Sequence, residues 1–311
     1  MLTDREIWKD RRCSWLCPLG RQAVKKESDR MAVSYDMTRV HQANLSILKE
    51  IDRICRKYKI RYGLDAGTLL GAVRHKGFIP WDDDADVVFT RKQYEAFKKV
   101  AKRELPDSME FLEPDCYRKG RAFFDFTPRI IYKNSKCHED NAHMQFYEGK
   151  LNHLWVDLFI LDKLPAGKGS AEFTKFLHKA IYGLAMGHRD CLDFGKYRLV
   201  HKIFVGGLAG AGRLIPMKAI FAMQRALALK DRHSRGTKWY YSNYQPDYLY
   251  VTLDKEWCEE VEDAEFEDTK LMIPKGWHQI LTEVYGDYRK LPPEEERVPA
   301  HSSLEIEIWD V

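Results

Sequence analysis

The chain has 311 residues, 44% of them hydrophobic and 32% charged, which is enough apolar side chain for the core of one large or two modest domains and too much for general disorder. Its longest uncharged apolar run, Ile203 to Gly212, is about half of the ~20 residues a membrane-spanning helix needs, which argues against an integral membrane protein. A net charge of +4 is too small to point to nucleic acid; charges occupy the N-terminus where a signal peptide has its apolar stretch; and seven scattered cysteines suit reduced cytoplasmic thiols, not a disulfide framework.

Residues 1–35 show no clear period and are expected to form an extension. From Val40 to Tyr58, Leu45, Leu48, Ile51, Ile54, Cys55 and Tyr58 recur at helical spacing. A strand over Arg61–Asp65, a Gly-Thr turn, a helix over Thr68–Arg74, a strand over Ala85–Phe89 and an amphipathic helix over Lys92–Glu104 follow. Residues 109–113, 122–132 and 153–161 are rich in Phe, Ile, Val and Trp and are predicted to be strands. This order indicates an α/β (α+β) fold with a mixed sheet of about five strands flanked by helices. The predicted organisation is a core over 36–165, an inserted helical subdomain over 166–238 and a C-terminal mixed segment over 239–311 that packs back on the core.

The densest chemical signal is Trp81-Asp82-Asp83-Asp84-Ala85-Asp86-Val87-Val88-Phe89. Along a strand, side chains two apart share a face, so Asp84 and Asp86 point one way while Ala85, Val87 and Phe89 face the core. Two ionised carboxylates about 7 Å apart repel, the more so when buried, and a divalent cation between them removes the penalty. Mg²⁺, with Mn²⁺ as its substitute, is the hard ion suited to such carboxylates and to phosphate oxygens. Taken alone the cluster also reads as a solvated acidic turn; the apolar strand behind it favours the metal site. Asp157, a lone acid in the apolar run Trp155-Val156-Asp157-Leu158-Phe159-Ile160, is a candidate third ligand or base. Gly67-Thr68 opens a helix after a strand, where backbone N–H groups and the positive dipole end suit an anion. Thr68 is placed to cap that helix, and Arg74, His75 and Lys76 add cationic donors for phosphate.

The stretch from Asp65 to Asp86, DAGTLLGAVRHKGFIPWDDDAD, resembles the signature of the LicD family of bacterial phosphocholine transferases, distant kin of the fukutin-related proteins. Val156-Asp157-Leu158-Phe159 and the Tyr285-Gly286-Asp287-Tyr288 end agree, and the resemblance runs over roughly residues 40–300. It implies a nucleotidyltransferase fold in which Gly67 and Thr68 form the phosphate turn, Asp84 and Asp86 the metal-binding pair and Asp157 the third acid, with Asp82 a further metal-side carboxylate. The implied reaction moves phosphocholine from CDP-choline to a hydroxyl of a cell-surface glycan (teichoic acid, lipopolysaccharide or capsule precursor, free or lipid-linked) and releases CMP. Ribitol- or glycerol-phosphate transfer from a CDP-linked donor, a CTP-using nucleotidyltransferase and a non-enzymatic nucleotide-binding scaffold are the alternatives.

Trp239, Tyr240, Tyr241, Tyr244, Tyr248 and Tyr250 form the densest aromatic cluster, readable as a choline cage or as simple packing. Cys13 with Cys17, and Cys137-His138 with His143, are each incomplete as zinc sites, and His301 is readable as a phosphate contact or as part of an exposed tail. Leu199–Leu229 mixes apolar and cationic residues and is readable as packing within the fold or as a peripheral contact on the inner membrane face of an otherwise cytoplasmic protein.

Overall fold

The computed structural model describes residues 37–137, 141–192, 199–299 and 306–310. The N-terminal extension, Cys13, Cys17, His138 and His301 lie outside the described residues. In chain order the first part reads α1 (Met37–Lys57), β1 (Gly63–Leu64), α2 (Ala66–His75), β2 (Ala85–Thr90), α3 (Arg91–Glu104), β3 (Met109–Leu112), β4 (Arg129–Tyr132), β5 (Ser135–Lys136), α4 (Ala142–Phe146) and β6 (Leu154–Lys163). The helices α5 (Lys168–Ala185), α6 (Leu199–Gly212) and α7 (Met217–Lys230) follow. Then come β7 (Lys238–Tyr241), β8 (Thr252–Asp254), α8 (Lys255–Cys258), the hairpin β9 (Val261–Phe266) and β10 (Thr269–Pro274), α9 (Trp277–Tyr285) and β11 (Glu307–Ile308). The fold is the expected α/β mixture.

The main sheet has seven strands where the sequence pattern suggested five. Its order is β1-β2-β6-β4-β3, with β7 on β6 and β8 on β7. The ten-residue β6 carries the architecture. One edge pairs in parallel with all of β2; the other pairs antiparallel with β4 along Leu154–Asp157 and with β7 along Leu161–Lys163. The two extra strands escape sequence reading because they are separated from their partner by three helices.

The helix α1 buries Val40, Ala43, Ile47, Leu48, Ile51 and Ile54, one apolar stripe laid against β4 and β6. Its last turn carries Arg56 and Lys57, which suits the negative end of the helix dipole. β2 is buried on both faces as far as Phe89, as expected of a strand in a parallel pair covered by helices. Residues 122–128, read as strand, form a loop instead. The Asp125 carboxylate accepts the Thr127 N–H at 2.9 Å, an Asx-type turn, and Pro128 follows. Phe123 and Phe126 then turn away from the sheet to pack on α5, α6 and α7 with Tyr182, Met186, Ala209 and Ile220.

Candidate active site

Three strands deliver three charged side chains in one row. Asp86 of β2 is the register partner of Asp157 on β6, which is in turn the register partner of Arg129 on β4. Directly opposed residues share a face, and neighbouring strands lie about 4.8 Å apart. Asp157 is therefore directed to the same side as Asp86. Arg129 Nε lies 2.8 Å from Asp157 Oδ1, while its two terminal nitrogens fork onto Asp125 at 2.9 and 2.5 Å. The Arg129 and Asp125 side chains are only 5% and 6% exposed, so this is a desolvated ion pair with geometry that Lys could not supply.

The acids strain one another. Burial first, then the charge of Asp84, Asp157, Asp65 and Asp82, pushes the Asp86 pKa well above the ordinary carboxylate range. Asp82 is raised in the same direction by burial and by Asp84. Asp157 is pushed up to about 6 by burial, with Asp125 and Asp84 adding to the rise and Arg129 opposing it. Asp157 Oδ1 is a buried oxygen that accepts no hydrogen bond, its approach to Arg129 being misaligned for one. A clustered, all-oxygen donor set with an unsatisfied buried oxygen fits a hard divalent cation. Among the described residues, only His143, Asp190 and Cys191 place three such donors all within 4.8 Å of one another.

Local bonds fix the acidic loop. His41 Nε2 and Asn44 Nδ2 of α1 bond the carbonyls of Asp82 and Asp83 at 2.7 and 3.3 Å. The Asp65 N–H donates to the Asp86 carbonyl at 3.0 Å, joining the entry of α2 to β2. Thr68 does not cap its helix: it is buried, and its Oγ1 accepts the Asp86 N–H at 2.9 Å. Asp65 takes the N-cap position, and the helix begins at Ala66, earlier than expected. Ala66 has φ +45°, a left-handed conformation that costs an alanine energy and marks the turn as constrained. At Gly67 a Cβ would run into the Asp82 carboxylate, so only glycine lets that acid approach the positive end of α2.

The cationic candidates divide. Arg74 sits near enough to Asp82 to lower its pKa, and donates to the Tyr288 carbonyl at 3.2 Å and to His75 Nε2 at 2.9 Å. His75 is held neutral by burial and by Arg74, edge-on to Trp81. Lys76 is not brought to the cluster: its side chain is 74% exposed and pairs with Glu265 of β9 at 2.8 Å.

Sequence reading missed Asp65, Arg129 and Tyr285. Asp65 is buried, its pKa raised to about 7 by desolvation, and it accepts the Tyr241 hydroxyl at 3.0 Å. A narrow cleft beside it, with about 10 Å³ of free space, is walled by Phe159, Tyr241, Tyr244, Tyr248 and Tyr285. Burial, Tyr248 and the charges of Asp86, Asp157 and Asp84 raise the Tyr244 hydroxyl pKa. Desolvation, Tyr248 and Asp82, Asp65 and Asp86 raise that of Tyr285. Both hydroxyls therefore stay protonated at neutral pH, with Tyr285 itself 41% exposed at the wall of the cleft. Trp239 and Tyr240 pack elsewhere and Tyr250 does not line the cleft, so half of the aromatic cluster seen in sequence reaches the site.

Likeness to known proteins makes the chain an enzyme, a phosphotransferase with a nucleotidyltransferase domain. Residues 59–175 match the family described as LicD/FKTN/FKRP, nucleotidyltransferase domain. Over 270 residues, 83% of this chain and 92% of the relative, the sequence is 31% identical to the lipopolysaccharide cholinephosphotransferase LicD of Haemophilus influenzae. Shorter stretches resemble uncharacterized proteins of Rickettsia typhi (39% identity, 17% of this chain and 18% of the relative) and Rickettsia prowazekii (49% identity, 13% and 15%). The chain belongs to the LicD family.

Proposed function

We propose that this enzyme transfers phosphocholine from CDP-choline to a hydroxyl of a cell-surface glycan and releases CMP. The observation that carries the reading is the register of Asp86 against Asp157, with Asp84 and Asp82 beside them and tyrosines walling the adjoining cleft. Asp82, Asp84, Asp86 and Asp157 would hold Mg²⁺, which when bound supplies charge neutralisation to the diphosphate.

The chain's own residues do the rest. The turn at Gly67 and Thr68 and the Arg74 guanidinium supply positive potential on the phosphate side. Arg129 holds Asp157 in place, where its carboxylate would either ligate the cation or take the proton of the attacking hydroxyl. The faces of Tyr244 and Tyr248 would suit a quaternary ammonium once the narrow cleft opens to admit it.

Incubation with Mg²⁺ and, separately, CDP-choline, CDP-ribitol, CDP-glycerol and CTP tests the reading. CMP from CDP-choline is expected. CMP from another CDP-alcohol alone would move the donor, and pyrophosphate from CTP would overturn phosphoalcohol transfer.

The acceptor's setting also leaves a trace. Among the described residues no single helix is long and apolar enough to cross a membrane. Phe173, Phe176, Ile203, Phe204 and Leu214 are nonetheless 48–87% exposed on α5, α6 and the turn after it. With Lys202 and Arg213 nearby in sequence, they support a peripheral membrane contact. Flotation with anionic liposomes is expected, and failure to co-float retires this contact alone.

A further inference from the structure

Of the residues in the incomplete zinc patterns, His143 meets other donors in three dimensions, though not Cys137, which is buried in the main core. His143, near the start of α4, meets Asp190 and Cys191 from the stretch after α5, 47 residues away. His143 Nδ1 lies 3.0 Å from Asp190 Oδ2, and imidazole nitrogen, carboxylate oxygen and thiol sulfur all fall within 4.8 Å of one another. The geometry points to a zinc site formed by His143, Asp190 and Cys191, separate from the acidic cluster.

Tetrahedral zinc with bonds of about 2.0–2.3 Å separates its donors by roughly 3.3–3.8 Å, inside the observed window. The His143–Asp190 contact has to open by only a few tenths of an ångström. Thiolate, imidazole and carboxylate select zinc over magnesium, which prefers oxygen throughout. Side-chain exposures of 23% for His143 and 28% for Asp190 leave an ion a way in and water the fourth position.

The surroundings are braced for holding such a group. Tyr147 packs edge-on to His143 at 5.1 Å and donates its hydroxyl proton to the Phe123 carbonyl at 3.0 Å. Arg189, next in chain to Asp190, donates to the Phe124 carbonyl at 2.6 Å and to the Tyr182 hydroxyl at 2.7 Å. Zinc here would tie the end of the α5 region to α4 and, through Tyr147 and Arg189, brace the loop that carries Asp125. Binding displaces one proton, from the Cys191 thiol to solvent, so affinity falls as pH falls.

The full chain, stripped with chelator and re-equilibrated in metal-buffered zinc, should retain one zinc per chain. Cys191→Ser and His143→Ala should lose it. Cys116→Ser, a thiol elsewhere, and Asp86→Asn, in the acidic cluster, should keep it, which separates this site from adventitious thiol binding and from the proposed catalytic metal. Zinc should raise the melting temperature of the wild type and not of Cys191→Ser. Substitution by Co²⁺ should give a thiolate-to-cobalt charge-transfer band, a readout on the wild type that survives even if a variant fails to fold. Equal zinc in wild type, Cys191→Ser and His143→Ala, or a cobalt adduct with no thiolate band, would overturn the assignment.

Discussion

Arg129 offers the sharpest test of how the site is built. Replacing it with Met removes a guanidinium that forks onto Asp125 and reaches Asp157, all three side chains being largely shielded from water. Asp125 is left as a buried charge without its partner, and breaking a buried pair in this way costs about 3–5 kcal/mol. At roughly 2 °C per kcal/mol for a chain of this size, the melting temperature should drop by ~6–10 °C. Adding Asp125→Leu removes the orphaned charge as well, and part of the loss should return, because an apolar replacement of a buried pair is about neutral while the Thr127 N–H, now without its acceptor, still costs about 1–3 kcal/mol. Activity should not return with it. Asp157 would still lack the contact that orients it, and loss of an orienting partner typically costs about 10–100-fold. Scanning calorimetry and CMP release on the single and double variants read both effects. A double variant as unstable as the single one, or one that recovers full turnover, would refute the reasoning.

Gly67→Ala should raise KM for the nucleotide donor and slow turnover, since the new methyl displaces Asp82 or the turn at an overpacking cost of about 1–3 kcal/mol; unchanged kinetics would show that the turn has slack. Tyr244→Leu should raise KM for CDP-choline by up to ~30-fold, the worth of one cation–π face at about 2 kcal/mol, with a smaller effect on CDP-glycerol, and equal effects on both donors would remove the choline cage. His178 on α5 is fully buried, its ring nitrogens have no hydrogen-bond partner, and burial lowers its pKa to about 4. The unfolded chain binds the proton below pH 6.5 while the folded one does not until about pH 4, so stability is full above pH 6.5 and falls as pH drops through that window, by roughly 3 kcal/mol in all. Urea midpoints should fall between pH 6.5 and 4 less steeply in His178→Leu than in the wild type, and identical slopes would contradict it.

The parts of the site legible in sequence are those whose geometry is local. Asp84 and Asp86 declared themselves by strand spacing, and Asp157 by being a lone acid in an apolar run. Arg129 did not, because its meaning lies in register: it stands opposite Asp157 only once β4 is laid against β6. Thr68 was misassigned for a related reason, since the donor it serves, the Asp86 N–H, comes from another strand. The 122–128 segment passed for strand on aromatic content, although Asp125 and Pro128 carried the turn signal. β7 and β8 were hidden by the helices that precede them, and with them the reason Tyr241 and Tyr244 reach the acids while Tyr240 does not. Tyr285 comes from α9, far along the chain from Asp65, and only the fold brings the two to one cleft.

The central claim is that Asp86, in register with Asp157, makes the phosphate-side metal site on which transfer depends. Asp86→Asn, assayed for CMP release from CDP-choline with Mg²⁺ beside a melting curve, tests it most directly. The expected result is turnover reduced by roughly a hundredfold or more, the scale of losing an electrostatic group aimed at a reacting centre, with the fold intact. Turnover close to wild type in a folded Asp86→Asn protein would contradict the account.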